Sequence, residues 1–318
     1  MIGRTFLGDV VVIAVLSRKR SLYSTGRLVD CATRSGHETH ILDPLQCHLV
    51  LSTRAPEIYY RGLEGPLPRP DVVLPRIGAS ITDHGLAVVN QFDMMGVPLV
   101  NNSQPIARSR DKLRSLQLLS RAGVDIPKTV MVRHPSRVHR ALEIVGGPPA
   151  ILKLGRGTQG VGVILAETEQ VIQSVLETFW SLGMNILIQE FIEESEGRDI
   201  RALVVGSRVV AAMRRQARIG EFRSNVHRGG TGVSVTLPEV YTRAALHATR
   251  VMGLQLAGVD MLESRHGPKV MEINSSPGFE GLERCSGVDI AAAIVDYAIS
   301  FARRRRKRPA TRISRAES

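Results

Sequence analysis

Three cysteines in 318 residues, Cys31, Cys47 and Cys285, are too few and too scattered for a disulfide framework or a CxxC metal site. They read as reduced thiols, which points to the cytoplasm. Long apolar runs are also missing. The aliphatic stretch at residues 10–16 is seven residues long, too short to span a bilayer, and no small-residue cleavage site follows it. It is expected to be a buried first strand of a soluble protein with no membrane association. Aromatic residues make up only 4% of the chain, yet 43% is hydrophobic, ample for a large core divided into two or three packed units. The sequence has no internal repeat, and its one low-complexity segment is the arginine run at residues 303–308.

The net charge of +12 resembles a nucleic-acid signal until it is located along the chain. Residues 303–318 hold eight Lys and Arg against one Glu and carry +7 of that charge. The other +5 is spread over 302 residues, as suits a globular enzyme that handles anionic ligands. A run of like charges cannot bury itself, so residues 303–318 are expected to form a disordered basic tail able to attract RNA phosphate.

Apolar spacing predicts a β-α-β start: a strand at 10–16, a helix at 24–35 stopped by Gly36, and a strand at 37–42. Further strands are expected at 71–74 and 97–100, with a helix at 82–95 between them. This is a Rossmann-like layout ending near residue 103. It lacks the GxGxxG turn of dinucleotide sites, having Ser17-Arg-Lys-Arg-Ser21 after the first strand. Beyond Ile106 the pattern becomes an α+β mixture, with helices at 110–122 and 169–182 and many strands joined by Gly-bearing turns.

Residues 153–163 place glycines at 155, 157, 160 and 162 between two apolar runs, behind Lys153. Backbone N–H groups in such a loop approach phosphate oxygens without interference from Cβ atoms. The lysine precedes the glycines and a strand follows, so this is not a Walker loop; it reads as a hairpin flap over a triphosphate, with Lys153 as its charge anchor.

Residues 258–274 read as two apolar strands around a turn at 265–267. With that turn centred on His266, Asp260 lies opposite Glu272, and Asn274 shares their face because strand side chains alternate with period two. Opposed carboxylates repel, so the pairing calls for a cation between them. Three oxygen donors with positions left open for phosphates suit Mg²⁺. Glu263 falls on the opposite face and is not expected to be a ligand. A third group comprises a buried strand at 186–192 running into an acidic turn, Asp199 and Arg201, Arg214 and Arg215, and a loop holding Arg223, Asn225, His227 and Arg228 before Gly229 and Gly230. Arginines of this kind clamp carboxylates and phosphates.

The order Lys112, Lys153 with its flap, Gln189-Glu190-Phe191-Ile192, Asp260, then Glu272-Ile-Asn274-Ser-Ser-Pro-Gly278 resembles the ATP-grasp superfamily, and more narrowly its RimK family of glutamate ligases. The resemblance runs nearly continuously from Val11 to Ile299 and includes Pro75-Arg-Ile-Gly78 and Phe222-Arg-Ser-Asn225. It implies an ATP-grasp fold preceded by a Rossmann-like pre-ATP-grasp domain, α/β then α+β. The expected division is residues 1–103, a flap subdomain at 104–185, a catalytic subdomain at 186–302 and the tail at 303–318. For the site it implies ATP contacts from Lys112, Lys153, Gly157, Gly160, Glu190, Phe191, Asp199, Arg223, Ser224 and Asn225. Asp260, Glu272 and Asn274 would hold two Mg²⁺ or Mn²⁺ ions. Lys153, Arg223 and Arg228 are the expected catalytic residues.

The expected activity is ADP-forming addition of L-glutamate, through a peptide bond, to the C-terminal carboxylate of an acceptor protein, most directly a small-subunit ribosomal protein. The alternative is a ligase acting on a small molecule or an amino-group carrier protein. A basic RNA-associated protein with a vestigial nucleotide site is disfavoured because the phosphate and metal residues are intact. The family resemblance also suggests a homotetramer. Only the two ends of the chain depart from the family pattern.

Overall fold

The computed structural model describes residues 10–52, 55–154, 162–195, 197–218 and 230–306. The chain divides into two compact units, one of residues 1–102 with 291–318, the other of residues 103–290.

The first unit contains β1 (Val12–Leu16), α1 (Tyr23–Arg34), β2 (Glu38–Leu42), β3 (Cys47–Val50), β4 (Glu57–Tyr60), β5 (Val72–Pro75) and α2 (Thr82–Met94). A parallel sheet runs in the order β2-β1-β5, and a parallel bridge from Val73 to Leu99 stands where a fourth strand was expected. The apolar run of β1 is continuous rather than alternating because its residues 13–16 are all buried, as in a sheet covered on both faces. The hairpin of β3 and β4 was not foreseen. Gln91 on α2 ties it down, its amide donating to the carbonyls of Val50 and Glu57 at 3.0 Å each.

The second unit opens with α3 (Ser103–Arg110) and α4 (Lys112–Arg121), where sequence periodicity had suggested one helix at 110–122. Asp111 separates them. Its backbone is extended, and its side chain caps α4 by accepting from the Arg114 N–H at 3.0 Å. There follow β6 (Thr129–Met131), α5 (Val138–Val145), β7 (Ala150–Leu154), β8 (Val163–Ala166), α6 (Glu169–Ser181) and β9 (Ile186–Glu190). These strands form an antiparallel sheet in the order β6-β9-β7-β8. Ala150, Leu152, Ile186 and Ile188 bury one face against α5 and α6, so alternation leaves Ile151, Lys153 and Gln189 on the other.

The rest of this unit is β10 (Arg198–Val205), β11 (Arg208–Gln216), β12 (Thr231–Ser234), α7 (Glu239–Met252), β13 (Leu256–Ser264), β14 (Gly267–Asn274) and α8 (Glu280–Ser286). Its antiparallel sheet runs in the order β12-β11-β10-β13-β14. Ile200, Ala202, Val204, Val259, Met261, Val270 and Ile273 pack one face onto Leu119 of α4 and Ala245, Ala248 and Met252 of α7. The residues between them in sequence, Asp199, Arg201, Asp260 and Glu272, therefore occupy the opposite face.

The last helix, α9 (Ile290–Arg306), belongs from Ala291 onward to the first unit, whereas the sequence reading assigned residues 291–302 to the catalytic subdomain. It also continues through Arg306, so Arg303, Arg304, Arg305 and Arg306 are helical and not part of a disordered tail. Arg304 lies over the Tyr297 ring at 5.8 Å and Arg305 over Phe301 at 5.5 Å, while Arg306 Nε donates to Asp71 at 3.2 Å. Cations are also favoured at the carbonyl end of a helix. Residues 307–318 lie outside the described residues. Among the described residues no single helix is long and apolar enough to cross a membrane.

Candidate active site

The hairpin of β13 and β14 places Asp260 opposite Glu272, as expected, but by a different route. Ser264 pairs with Gly267, so the turn is centred between Arg265 and His266 and not on His266. Continued without interruption, that register would set Asp260 against Met271. A bulge between Asp260 and Met261 leaves Met271 as the extra residue of β14 and restores the facing of Asp260 and Glu272. Gly267 has φ +109°, a conformation that favours glycine at this turn. At the far end Gly258 pairs with Asn274, and a Cβ on Gly258 would come within 2.9 Å of Pro277. Asn274 accepts from the Ser276 N–H at 2.9 Å, holding the chain as it folds back.

Asp260 is 3% exposed and sits between two arginines. Arg201 grips it with both arms of its fork, Nε to Oδ1 at 2.7 Å and Nη2 to Oδ2 at 2.6 Å. Arg215 adds a contact from Nη2 to Oδ2 at 2.9 Å and binds both oxygens of Asp199, at 2.6 and 2.5 Å. Burial pushes the Asp260 carboxyl up, but the charges and hydrogen bonds of Arg201 and Arg215 together outweigh it and hold the group below the usual carboxylate range. Arg215 is itself 2% exposed; burial pulls it down, and Asp260 with Asp199 more than reverse that. Glu272 is half-buried and, among the described residues, its side chain makes no hydrogen bond or ion pair, though its charge acts on Lys112 and Lys153.

Two lysines bring positive charge to the same place. Burial lowers the Lys153 ammonium to about 8; Glu272 opposes this, Lys112 adds to it and Asp260 opposes it. Lys112, at the start of α4, is also lowered by burial and raised by Glu272. Lys112, Lys153, Asp260 and Glu272 thus form one electrostatic cluster. Glu190 ends β9, with its carboxylate accepting from Lys269 Nζ at 2.6 Å and the Lys128 N–H at 2.9 Å, and Phe191 follows it. Both oxygens of Asp199 are engaged by Arg215.

Gly157, Gly160, Arg223, Ser224, Asn225, His227 and Arg228 lie outside the described residues. Of the flap, Gly162 is described. It has φ +74°, its carbonyl accepts from the Leu154 N–H at 2.9 Å, and a Cβ there would meet Leu154 at 2.5 Å. The sequence reading did not assign Arg201 and Arg215 to the metal cluster. Their alternation with the apolar residues of β10 and β11 was the available signal.

Among the described residues no group of three His, Cys, Asp or Glu could hold a metal ion. The donor set here is two carboxylates and one amide, Asp260, Glu272 and Asn274, all oxygen donors on one sheet face. That chemistry fits a hard divalent cation and argues against a soft metal.

Comparison with known proteins divides the chain at nearly the same point after α2, although the second family model takes in α9 as far as residue 298. Residues 11–106 match the RimK PreATP-grasp domain and residues 109–298 the RimK-like ATP-grasp domain. The "Probable alpha-L-glutamate ligase 1" of Shewanella denitrificans is 53% identical over 285 residues, covering 90% of this chain and 96% of that protein. Its namesake in Hahella chejuensis is 52% identical over 302 residues, covering 94% and 98%. Solved structures share the fold at lower identity. The ATP-grasp ligase PsnB, complexed with its minimal precursor, has a TM-score of 0.73 at 21% identity, covering 92% of this chain and 99% of that one. The RimK domain protein of Sphaerobacter thermophilus has a TM-score of 0.67 at 21% identity, covering 91% and 99%. The chain therefore belongs to the RimK-like ATP-grasp family, an ATP-dependent ligase with a RimK pre-ATP-grasp domain at its N-terminal end.

Proposed function

We propose that this ligase joins L-glutamate, through a peptide bond, to the C-terminal carboxylate of an acceptor polypeptide, with a small-subunit ribosomal protein as the acceptor. The names of relatives about half identical over nine-tenths of the chain support glutamate as the amine. The observation that carries the phosphoryl-transfer reading is the facing of Asp260 and Glu272 beside the buried Lys153. It supplies a place for phosphates and for the ion that accompanies them.

A carboxylate is a poor acylating agent at neutral pH, so the acceptor carboxylate first takes the γ-phosphoryl group of ATP, giving an acyl phosphate and ADP. The α-amine of glutamate then attacks the acyl carbon, loses its proton, and inorganic phosphate departs. Lys153 and Lys112 offset the phosphate charge in a site where burial strengthens each interaction. Gly157 and Gly160 of the flap are assigned to phosphate contact and to keeping water from the acyl phosphate. Glu190 and Phe191 are assigned to the adenine end, and Ser224 and Asn225 to further nucleotide contacts. Arg223 and Arg228 would hold the anionic acceptor or the tetrahedral intermediate. Asp199 acts indirectly in this reading, by holding Arg215 against Asp260. Asp260, Glu272 and Asn274 would bind two Mg²⁺ or Mn²⁺ ions, which as Lewis acids neutralise phosphate oxygens.

The basic run at residues 303–308 extends the proposal to a contact with ribosomal RNA, which would weaken steeply as salt rises. A cytoplasmic homotetramer completes it. The test is to incubate the enzyme with ATP, Mg²⁺, glutamate and small-subunit ribosomal proteins and to quantify the nucleotides. ADP and phosphate are expected in equal amounts; AMP as the stoichiometric product would mean an adenylating mechanism and overturn the reading.

A further inference from the structure

Arg201 is the partner of Asp260 in the register of β10 and β13, and it occupies both carboxylate oxygens. A carboxylate has about four lone-pair sites. On Oδ2 both are taken, one by Arg201 Nη2 at 2.6 Å and one by Arg215 Nη2 at 2.9 Å. On Oδ1 one is taken, by Arg201 Nε at 2.7 Å. Among the described residues' contacts, one site remains, on a side chain that the Arg201 fork and the Arg215 contact hold in place. Arg215 cannot yield, being buried and held by Asp199 at 2.6 and 2.5 Å.

The consequence concerns which cation fits. Ca²⁺ takes six to eight oxygens and readily accepts a carboxylate through both oxygens, whereas Mg²⁺ takes six in a strict octahedron and uses one oxygen from each carboxylate. We infer that Arg201 is a metal-selectivity residue: by taking one site on each oxygen, beside the Arg215 contact on Oδ2, it confines Asp260 to one-point coordination, favouring Mg²⁺ over Ca²⁺. This rests on the metal reading proposed above. It also gives a buried ion pair a function, where such pairs often contribute little to net stability.

The experiment is calorimetric titration of the ADP-bound protein with MgCl₂ and, separately, with CaCl₂. Wild type, Arg201→Met, Arg201→Lys and Asp260→Ala are compared after thermal unfolding has shown each to be folded. Loss of an outer partner of a metal ligand weakens binding by about 10–100-fold, so Arg201→Met is expected to lose Mg²⁺ affinity in that range and Ca²⁺ affinity much less. Arg201→Lys restores the charge but not the fork and should show the same fall in preference. If Arg201→Met does not fold, Arg201→Lys decides alone. An unchanged Mg²⁺ to Ca²⁺ ratio in Arg201→Met, or a wild-type ratio in Arg201→Lys, overturns the inference. Mg²⁺ affinity that survives Asp260→Ala removes the metal reading itself, and the inference with it.

Discussion

The two faces of the five-stranded sheet come from the same strands and do different work. One presents Ala202, Val204, Val259 and Met261 to α4 and α7. The other, one residue out of phase, carries Asp199, Arg201, Asp260 and Glu272. Period-two alternation lets one strand contribute to the core and to a charged cluster without compromise between them. The faces differ in what a substitution removes: volume on one, charge compensation on the other.

Asp260→Ala should give the largest effect, because it takes the shared partner from two arginines. Breaking a buried pair by removing one member costs about 3–5 kcal/mol, which urea denaturation would detect. Met261→Ala probes the other face. Truncating a buried methionine costs about 2–5 kcal/mol, while ATP turnover per folded molecule should stay at the wild-type level. A fall in that turnover would show that the faces are not separable. Glu272→Ala sharpens the contrast within the charged face, since Glu272 has no fixed partner among the described residues. Its unfolding midpoint should stay near wild type while metal-dependent turnover drops by about 100-fold or more, at least the loss seen for outer-shell partners.

Two smaller effects follow. Lys153 has its folded pKa lowered to about 8, so its cation is lost as pH rises through that value. The kcat/KM for ATP should therefore fall above pH of about 8, and Lys153→Arg should move that limb upward. Stability should change in the opposite sense. The unfolded chain binds the extra proton between about 8 and the ordinary lysine value, so the penalty of burying the charged ammonium is relieved as pH rises through that window. Glu263→Ala is expected to be nearly silent. Glu263 pairs with the half-exposed Arg214 on the apolar side of β13, at 2.8 and 2.9 Å, and such a pair contributes at most about 1 kcal/mol. Loss of turnover in this variant would contradict its exclusion from the metal set.

How legible the molecule was depends on the range of each signal. The parallel start of the fold and the 260–272 hairpin were readable because apolar runs and period-two alternation are local. The facing of Asp260 and Glu272 was reached with the wrong turn centre, and the Met271 bulge supplied the missing residue. A bulge leaves no mark in an apolar strand, so the sequence could not reveal it. The break at Asp111 was legible in principle, as an N-cap residue before a helical run. The roles of Arg201 and Arg215 were not. They depend on β10 lying between β11 and β13, and its pairing with β13 joins segments more than 40 residues apart, which alternation alone does not specify. The helical arginines of α9 were misread because charge density was weighed without the aromatic rings one or two turns earlier.

The most direct test is incubation of the enzyme with ATP, Mg²⁺, isotopically labelled glutamate and a cell lysate, followed by mass spectrometry of intact proteins and of their C-terminal peptides. The account predicts that label enters a small-subunit ribosomal protein as one or more glutamate residues beyond its C-terminal carboxylate, and that Glu272→Ala abolishes the transfer. Label found only in small molecules, or on side chains within the acceptor, would contradict it.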